Sequence, residues 1–288
     1  MSWFAFTLVA MLMSGIQSFL FKKSADMGLN KYLLTFYMYI CQVVFAAGAF
    51  VFLGAKNIDI MKTVFFAVLL AIVFFIKLTL DLKALEYLPT NVIIPMLSSN
   101  MIIVIAYGYF GFNERFNIYQ LIGVLIIFAS TVLINLSWNK TEKSSQNKKG
   151  MIFVFISIVF SAGVVIINKY AAVYTNPIAF NVIVQFLLMI ISASVYFITK
   201  PRGEKSDIGK FKNTIGYGLA VGVIGFIFYF SYLSALSMGP VSIIQPVLSL
   251  AGIITVLLAW LILKEKLSLI QFLLVLISIG GVIMTRIT

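Results

Sequence analysis

Long apolar runs separated by short polar breaks form the dominant pattern of this chain of 288 residues. Each run is about 20 residues long, the length of helix that crosses a hydrocarbon core of roughly 30 Å. The pattern therefore predicts an all-α polytopic membrane protein with ten transmembrane helices. The expected spans are 3–21, 33–53, 63–82, 89–110, 118–136, 151–170, 178–199, 214–236, 240–262 and 268–285.

Composition agrees with the pattern and removes several classes of protein. Hydrophobic residues make up 62% of the chain and charged residues only 10%, against about 25% charged residues in an average soluble domain. The net charge of +12 arises from Lys and Arg in the short breaks between spans, where they set membrane orientation and contact lipid headgroups. The expected partner is the lipid bilayer, and no nucleic acid is expected.

The chain has few side chains that could carry out catalysis or bind a metal. Cys41 is the one cysteine and the chain has no histidine, so neither an internal disulfide nor a conventional metal site is expected. An intramembrane enzyme would need clustered His, Cys, Asp or Glu, and the sequence provides no such cluster within a span. We expect a protein that is not an enzyme and has no cofactor.

An internal repeat divides the chain. At an offset of 151 residues, 17 of the 52 positions in 75–126 are identical, and Glu114 falls on Glu265. The repeat also aligns Pro89 and Pro95 with Pro240 and Pro246. It predicts a first five-helix repeat over 1–137, a basic linker over 138–150 and a second five-helix repeat over 151–288.

An odd number of helices per repeat gives the two repeats opposite orientations in the membrane. Such inverted repeats are typical of secondary transporters that work by alternating access, here as a single-chain pseudo-dimer. The four repeated prolines then mark hinges or kinks beside a binding site. In a simpler interpretation, Pro89 and Pro240 begin helices, and Pro95 and Pro246 are ordinary kinks that packing tolerates.

Lys77 and Asp81 are the clearest charged pair within a span. They are four residues apart, so they share one helix face and can pair. Charge at membrane depth favours a functional role, with Lys77 binding a substrate carboxylate or phosphate and Asp81 tuning it or carrying a coupling proton. Alternatively, both side chains extend to the nearby membrane interface.

Further candidates for substrate binding or coupling are polar or aromatic residues within the spans. The neutral or basic ones are Gln17, Ser98, Asn100, Asn168, Lys169, Gln245 and Ser249, and the aromatic ones are Tyr229, Tyr232 and Trp260. Each class has a structural alternative. Lys169 can anchor to headgroups, amides can join helices, serines can bond their own backbone, and Tyr and Trp can belong to interfacial belts. Separately, Gly218 and Gly222 have the GxxxG spacing that permits close helix contact.

Two segments, "NERFNIYQLIGVLIIFASTVLI" and "KEKLSLIQFLLVLISIGGVIM", resemble the end of the EamA domain of the drug/metabolite transporter superfamily. The family has a Gly-Glu-Arg-like turn followed by a final span with G-x-x-L-I-x-x-G. Glu114 and Glu265 occupy the Glu position, whereas Asn113 and Lys264 replace the preceding Gly. Gly123 matches the first glycine of the span. The resemblance covers the chain as two tandem copies.

The resemblance implies a ten-helix exporter of small metabolites, amino acids or related amphipathic compounds, in the cytoplasmic membrane. It implies no ATP hydrolysis, in agreement with the absence of a Walker A motif. A proton is the expected coupling ion, with Asp81 as its carrier. A lipid-linked substrate flippase of the same superfamily is the main alternative, and a non-transporting membrane assembly subunit is another.

The orientation of the termini stays open. Fifteen of the 21 Lys and Arg residues lie in loops on one side, opposite the termini. By the positive-inside rule this favours external termini, whereas the family resemblance implies cytoplasmic ones.

Overall fold

The computed structural model describes residues 2–54, 58–88, 93, 96–97, 99–115, 117–137, 148–199, 208–264 and 269–285. These residues form α-helices joined by short turns. The helices are α1 Trp3–Asp26, α2 Lys31–Leu53, α3 Ile60–Tyr87, α4 Asn100–Gly111, α5 Ile118–Ser137, α6 Lys148–Tyr174, α7 Pro177–Thr199, α8 Ile208–Met238, α9 Val241–Ser249, α10 Ala251–Leu263 and α11 Leu269–Met284.

The expected all-helical architecture with long apolar spans is confirmed. Seven described segments are long and apolar enough to cross a membrane by length and composition, and one of them, Val241–Leu263, contains both α9 and α10. Three shorter apolar helices follow the same pattern. Pro89, Pro95 and Ser98 lie outside the described residues, as does most of the predicted linker.

Several helices extend beyond the apolar runs that predicted them, because polar residues cap and continue their ends. Asp59 caps α3: its Oδ1 accepts the Lys62 backbone N–H at 3.0 Å, and its Oδ2 pairs with Lys62 Nζ at 2.9 Å. These two interactions with Lys62 lower the pKa of Asp59. At its other end α3 continues to Tyr87, five residues past the predicted boundary.

The chain forms two compact units that differ from the sequence repeats. The first unit contains Met1–Ala71 and Tyr170–Ser237, and the second contains Ile72–Lys169 and Met238–Thr288. Each unit therefore takes helices from both halves of the sequence.

In the first unit, α2 packs along α7, and α8 lies close against α2 through the two GxxxG glycines. A Cβ atom at Gly222 would lie 2.5 Å from Cys41 Cβ and 2.8 Å from the Met38 carbonyl oxygen. A Cβ at Gly218 would lie 2.8 Å from the Leu34 carbonyl oxygen. The close helix contact that the spacing predicts is confirmed.

In the second unit, α5 packs along α11. A Cβ at Gly123 would lie 2.6 Å from the Gly281 carbonyl oxygen and 2.9 Å from the Thr285 backbone nitrogen, so only glycine allows this approach. Helices α2 and α7 are the second spans of the two sequence halves, and α5 and α11 are the last spans. Equivalent spans thus pair with each other, the arrangement expected of duplicated halves.

Two non-glycine residues among those described have positive φ: Asn113 at 52° and Lys264 at 56°. They are related by the offset of 151 residues, so the residue before the repeated Glu is left-handed in both halves. A left-handed conformation is least strained in a residue without a Cβ. This accounts for the glycine that the EamA domain, which the sequence resembles, usually has at this position. Asn tolerates this conformation better than Lys does.

Lys264→Gly is therefore expected to raise the free energy of unfolding by about 1 kcal/mol, because it removes the left-handed strain of a residue with a Cβ. Thermal unfolding of the purified protein in detergent measures the effect. The control is Lys212→Gly in the exposed part of α8, which should lower stability by about 1 kcal/mol. Equal losses in both variants would show that the left-handed strain at Lys264 is not a cost.

Candidate functional site

The predicted charged pair forms on α3. Lys77 Nζ lies 2.7 Å from Asp81 Oδ2, and the two side chains are only 26% and 16% exposed. Because α3 continues to Tyr87, Lys77 is ten residues from the end of the helix, or about 15 Å along its axis.

Helix α6 adds two serines to this pair. The hydroxyl of Ser157, which is fully buried, donates to Asp81 Oδ1. Ser161 lies one turn further along the same face of α6, and its Oγ accepts Asn100 Nδ2 of α4 at 2.9 Å. Lys77, Asp81, Ser157, Ser161 and Asn100 are called the polar row below.

The second half of the chain has an aromatic pair at the positions equivalent to Lys77 and Asp81. These are Phe228 and Tyr232 on α8 in the first unit, whose rings stack with centroids 6.0 Å apart. Tyr229 adds a further ring, 6.3 Å from that of Tyr232. The charged pair therefore belongs to one repeat only, as the sequence indicates.

Within the second unit, which also contains the polar row, a second polar centre lies at the start of α9. Pro240 precedes the first helical residue, and the carboxylate of Glu114 accepts the backbone N–H groups of Val241 at 2.8 Å and Ser242 at 3.0 Å. The Ser242 hydroxyl donates to the same carboxylate. One side chain from the α4–α5 turn thus binds the first turn of a helix more than 120 residues away in sequence.

Lys169 of α6 reaches the same turn. Its Nζ donates to the Gly239 carbonyl oxygen at 2.7 Å and lies 5.8 Å from the centre of the Phe112 ring. Lys169 also interacts electrostatically with Glu114. Its side chain is buried and binds within the protein.

The two prolines of this span act at different places. Pro240 lies at the helix start, whereas Pro246 is inside α9 and lacks the N–H that would bond the Ser242 carbonyl. The helix ends three residues later, and Leu250 N–H bonds Val247 O in a tighter turn before α10 begins. Ser249 Oγ donates to Pro246 O at 2.6 Å and lies 3.3 Å from Thr131 Oγ1 of α5.

The other predicted site residues have partners or exposures of their own. Gln17 Nε2 donates to Met38 Sδ at 3.5 Å in the first unit, and Asn168 Nδ2 bonds Val164 O of its own helix at 2.9 Å. Gln245 is half-buried on α9. Trp260 is 47% exposed on α10 next to the exposed Leu261, the environment of an outward-facing side chain.

The comparisons with known proteins decide the family. The model of the EamA-like transporter family matches residues 1–136 and 148–287. This chain belongs to the EamA-like transporter family. No curated protein matches the sequence.

A solved structure, described only as "Crystal structure of protein", superposes on this EamA transporter with a TM-score of 0.76 and 14% sequence identity. The match covers 98% of this chain and 95% of the other. At that identity the likeness shows a shared fold and nothing about substrate.

Family membership makes the chain a multi-pass membrane transporter with duplicated halves, and EamA is not an enzyme family. A transporter has a small-molecule substrate and works within a bilayer.

Sequence reasoning missed Ser157, Ser161 and Ser242 and gave Glu114 no role. The four-residue spacing of Ser157 and Ser161 was available, but serines in membrane helices commonly bond their own backbone. The stronger signal was the repetition of Glu114 as Glu265 in the Gly-Glu-Arg-like turn of each half. It indicated an important position without identifying the bonded partner.

Proposed function

We propose that this EamA transporter is a secondary active exporter of small metabolites, amino acids or related amphipathic compounds, across the cytoplasmic membrane. The observation that carries the proposal is the polar row, a half-buried charged pair hydrogen-bonded to a second helix within apolar spans. Charged side chains at membrane depth are costly and commonly mark substrate or ion pathways.

The chemistry of the row suits a substrate with one acidic and one donor group. The Lys77 ammonium offers donors to a substrate carboxylate or phosphate. Asp81 then releases Lys77 and accepts a substrate amine or the coupling proton. Ser157, Ser161 and Asn100 provide neutral hydrogen-bonding groups that add specificity without further charge.

Alternating access between two inverted repeats, 1–137 and 151–288, supplies the transport mechanism in this proposal. The five-helix repeat, the equivalent left-handed residues Asn113 and Lys264 and the pairing of equivalent spans support it. Inverted repeats can exchange conformations, which opens one shared site first to one side and then to the other. Pro240 precedes α9 and Pro246 lies within it, which supports a role for both as hinges or kinks of this short helix.

Uptake into proteoliposomes from a pool of labelled amino acids and small metabolites, with and without an imposed pH gradient, tests the proposal. We expect accumulation of one chemical class that disappears without the gradient. Equal accumulation with and without the pH gradient would exclude proton coupling. Failure to move any soluble compound would contradict the proposal and favour a lipid-linked substrate, for which a flippase assay follows.

A further inference from the structure

The first turn of α9 is held by side chains from two other elements. Glu114 binds it from the α4–α5 turn, and Lys169 binds the preceding Gly239 from α6. Glu114, Lys169, Gly239 and Ser242 are called the α9 clasp below. All of its members lie in the second compact unit.

The carboxylate of Glu114 suits the start of a helix such as α9. The first backbone N–H groups of a helix have no partner within the helix, and the partial positive charge of the helix start favours an anion. Glu114 satisfies two of these N–H groups and also accepts the Ser242 hydroxyl. Hydrogen bonds to a charged group are about twice as strong as neutral ones.

The backbone around Glu114 positions its carboxylate at the first turn of α9. Glu114 N–H bonds the Gly108 carbonyl oxygen at 3.0 Å, directly after the left-handed residue Asn113. A Cβ at Gly108 would overlap Ser242 Oγ and lie 2.8 Å from Glu114 Oε2. The close approach of α4 to α9 therefore depends on a glycine.

Helix α9 is short, and among the described residues it has few other polar contacts along its length. It has nine residues, and one turn residue, Leu250, separates it from α10. At its far end, the described polar contact to another helix is the 3.3 Å pair of Ser249 and Thr131. Its buried apolar residues pack against α4 and α5, and the charged contact with Glu114 fixes its first turn.

We infer that Glu114 is a positioning residue for transport: its carboxylate holds the first turn of α9 in the orientation that turnover requires. Lys169 assists by fixing the carbonyl of Gly239 before the helix. This role differs from the proposed substrate chemistry of the polar row, since the Glu114 oxygens are already bonded to protein groups. The inference rests on the proposed function only for its transport readout.

Hydrogen–deuterium exchange in lipid nanodiscs tests the α9 clasp without any substrate. In Glu114→Gln, peptides spanning residues 239–245 should exchange at least about tenfold faster, because an amide cannot replace a carboxylate that accepts three donors. Ser242→Ala keeps both backbone bonds and should give a smaller acceleration, about threefold. The control Arg115→Gln removes the adjacent exposed charge and should exchange like the parent.

A transport assay then distinguishes a positioning role of Glu114 from an effect on stability alone. Per folded protein, Glu114→Gln should lower the maximal rate about tenfold while the half-saturating substrate concentration changes less than about threefold. If Glu114→Gln exchanges like the parent, Glu114 does not hold the first turn of α9, and the α9 clasp is wrong. Faster exchange with an unchanged rate per folded protein would overturn the positioning role, and the exchange result stands even if the pooled uptake finds no substrate.

Discussion

Asp81→Asn is expected to lower gradient-driven uptake by at least about tenfold. The substitution keeps the shape of the side chain but removes the charge that pairs with Lys77 at 2.7 Å. It also weakens the bond from Ser157. A lost charge-assisted hydrogen bond corresponds to roughly 1.5–3 kcal/mol, which is a factor of about 10 to 150. Initial uptake rates in proteoliposomes, at matched amounts of folded protein, measure the loss.

Asp59→Asn provides the matched control. It makes the same chemical change at the exposed start of the same helix, where Asn is an equally good cap, and should transport like the parent. If Asp81→Asn transports normally with the parent's pH dependence, Asp81 is neither the proton carrier nor part of the site. A fully active Lys77→Ala variant would likewise remove Lys77 from the site.

Gly222→Ala is expected to give a large loss of stability, about 2 kcal/mol of unfolding free energy. The added Cβ would lie 2.5 Å from Cys41 Cβ and 2.8 Å from the Met38 carbonyl oxygen. Backbone oxygen and Cβ atoms cannot rotate away, so α8 and α2 must separate. Thermal unfolding of the purified variant in detergent measures the change.

Gly216→Ala, six residues earlier on α8, is the control because nothing lies within 4 Å of its added Cβ. Alanine has the higher helix propensity, so this variant should be as stable as the parent or more stable by up to about 1 kcal/mol. Equal stability of the two variants would mean that α8 does not approach α2 as closely as described.

The apolar runs predicted most of the helices because crossing a membrane imposes one length and one composition on every span. Boundaries differed where polar residues continue a helix beyond the apolar core. Thus α6 begins at Lys148 and α8 at Ile208, ahead of the predicted starts. The two compact units were not predictable from the repeat, since each combines spans from both halves.

For the site, the local relation was predictable and the distant ones were not. Lys77 and Asp81 follow from a spacing of four on one helix. The bond from Ser157 to Asp81 joins residues 76 apart in sequence, and that from Ser242 to Glu114 joins residues 128 apart. No spacing rule connects such pairs. The burial of Lys169 toward Gly239 could not be inferred for the same reason.

Counterflow tests the central claim, that this EamA transporter is an alternating-access carrier. Proteoliposomes are loaded with the unlabelled metabolite pool, and uptake of the labelled pool is compared with that of empty vesicles. A carrier that returns faster with substrate bound should take up its own class of compound several-fold faster into the loaded vesicles. Equal uptake into loaded and empty vesicles would contradict the account.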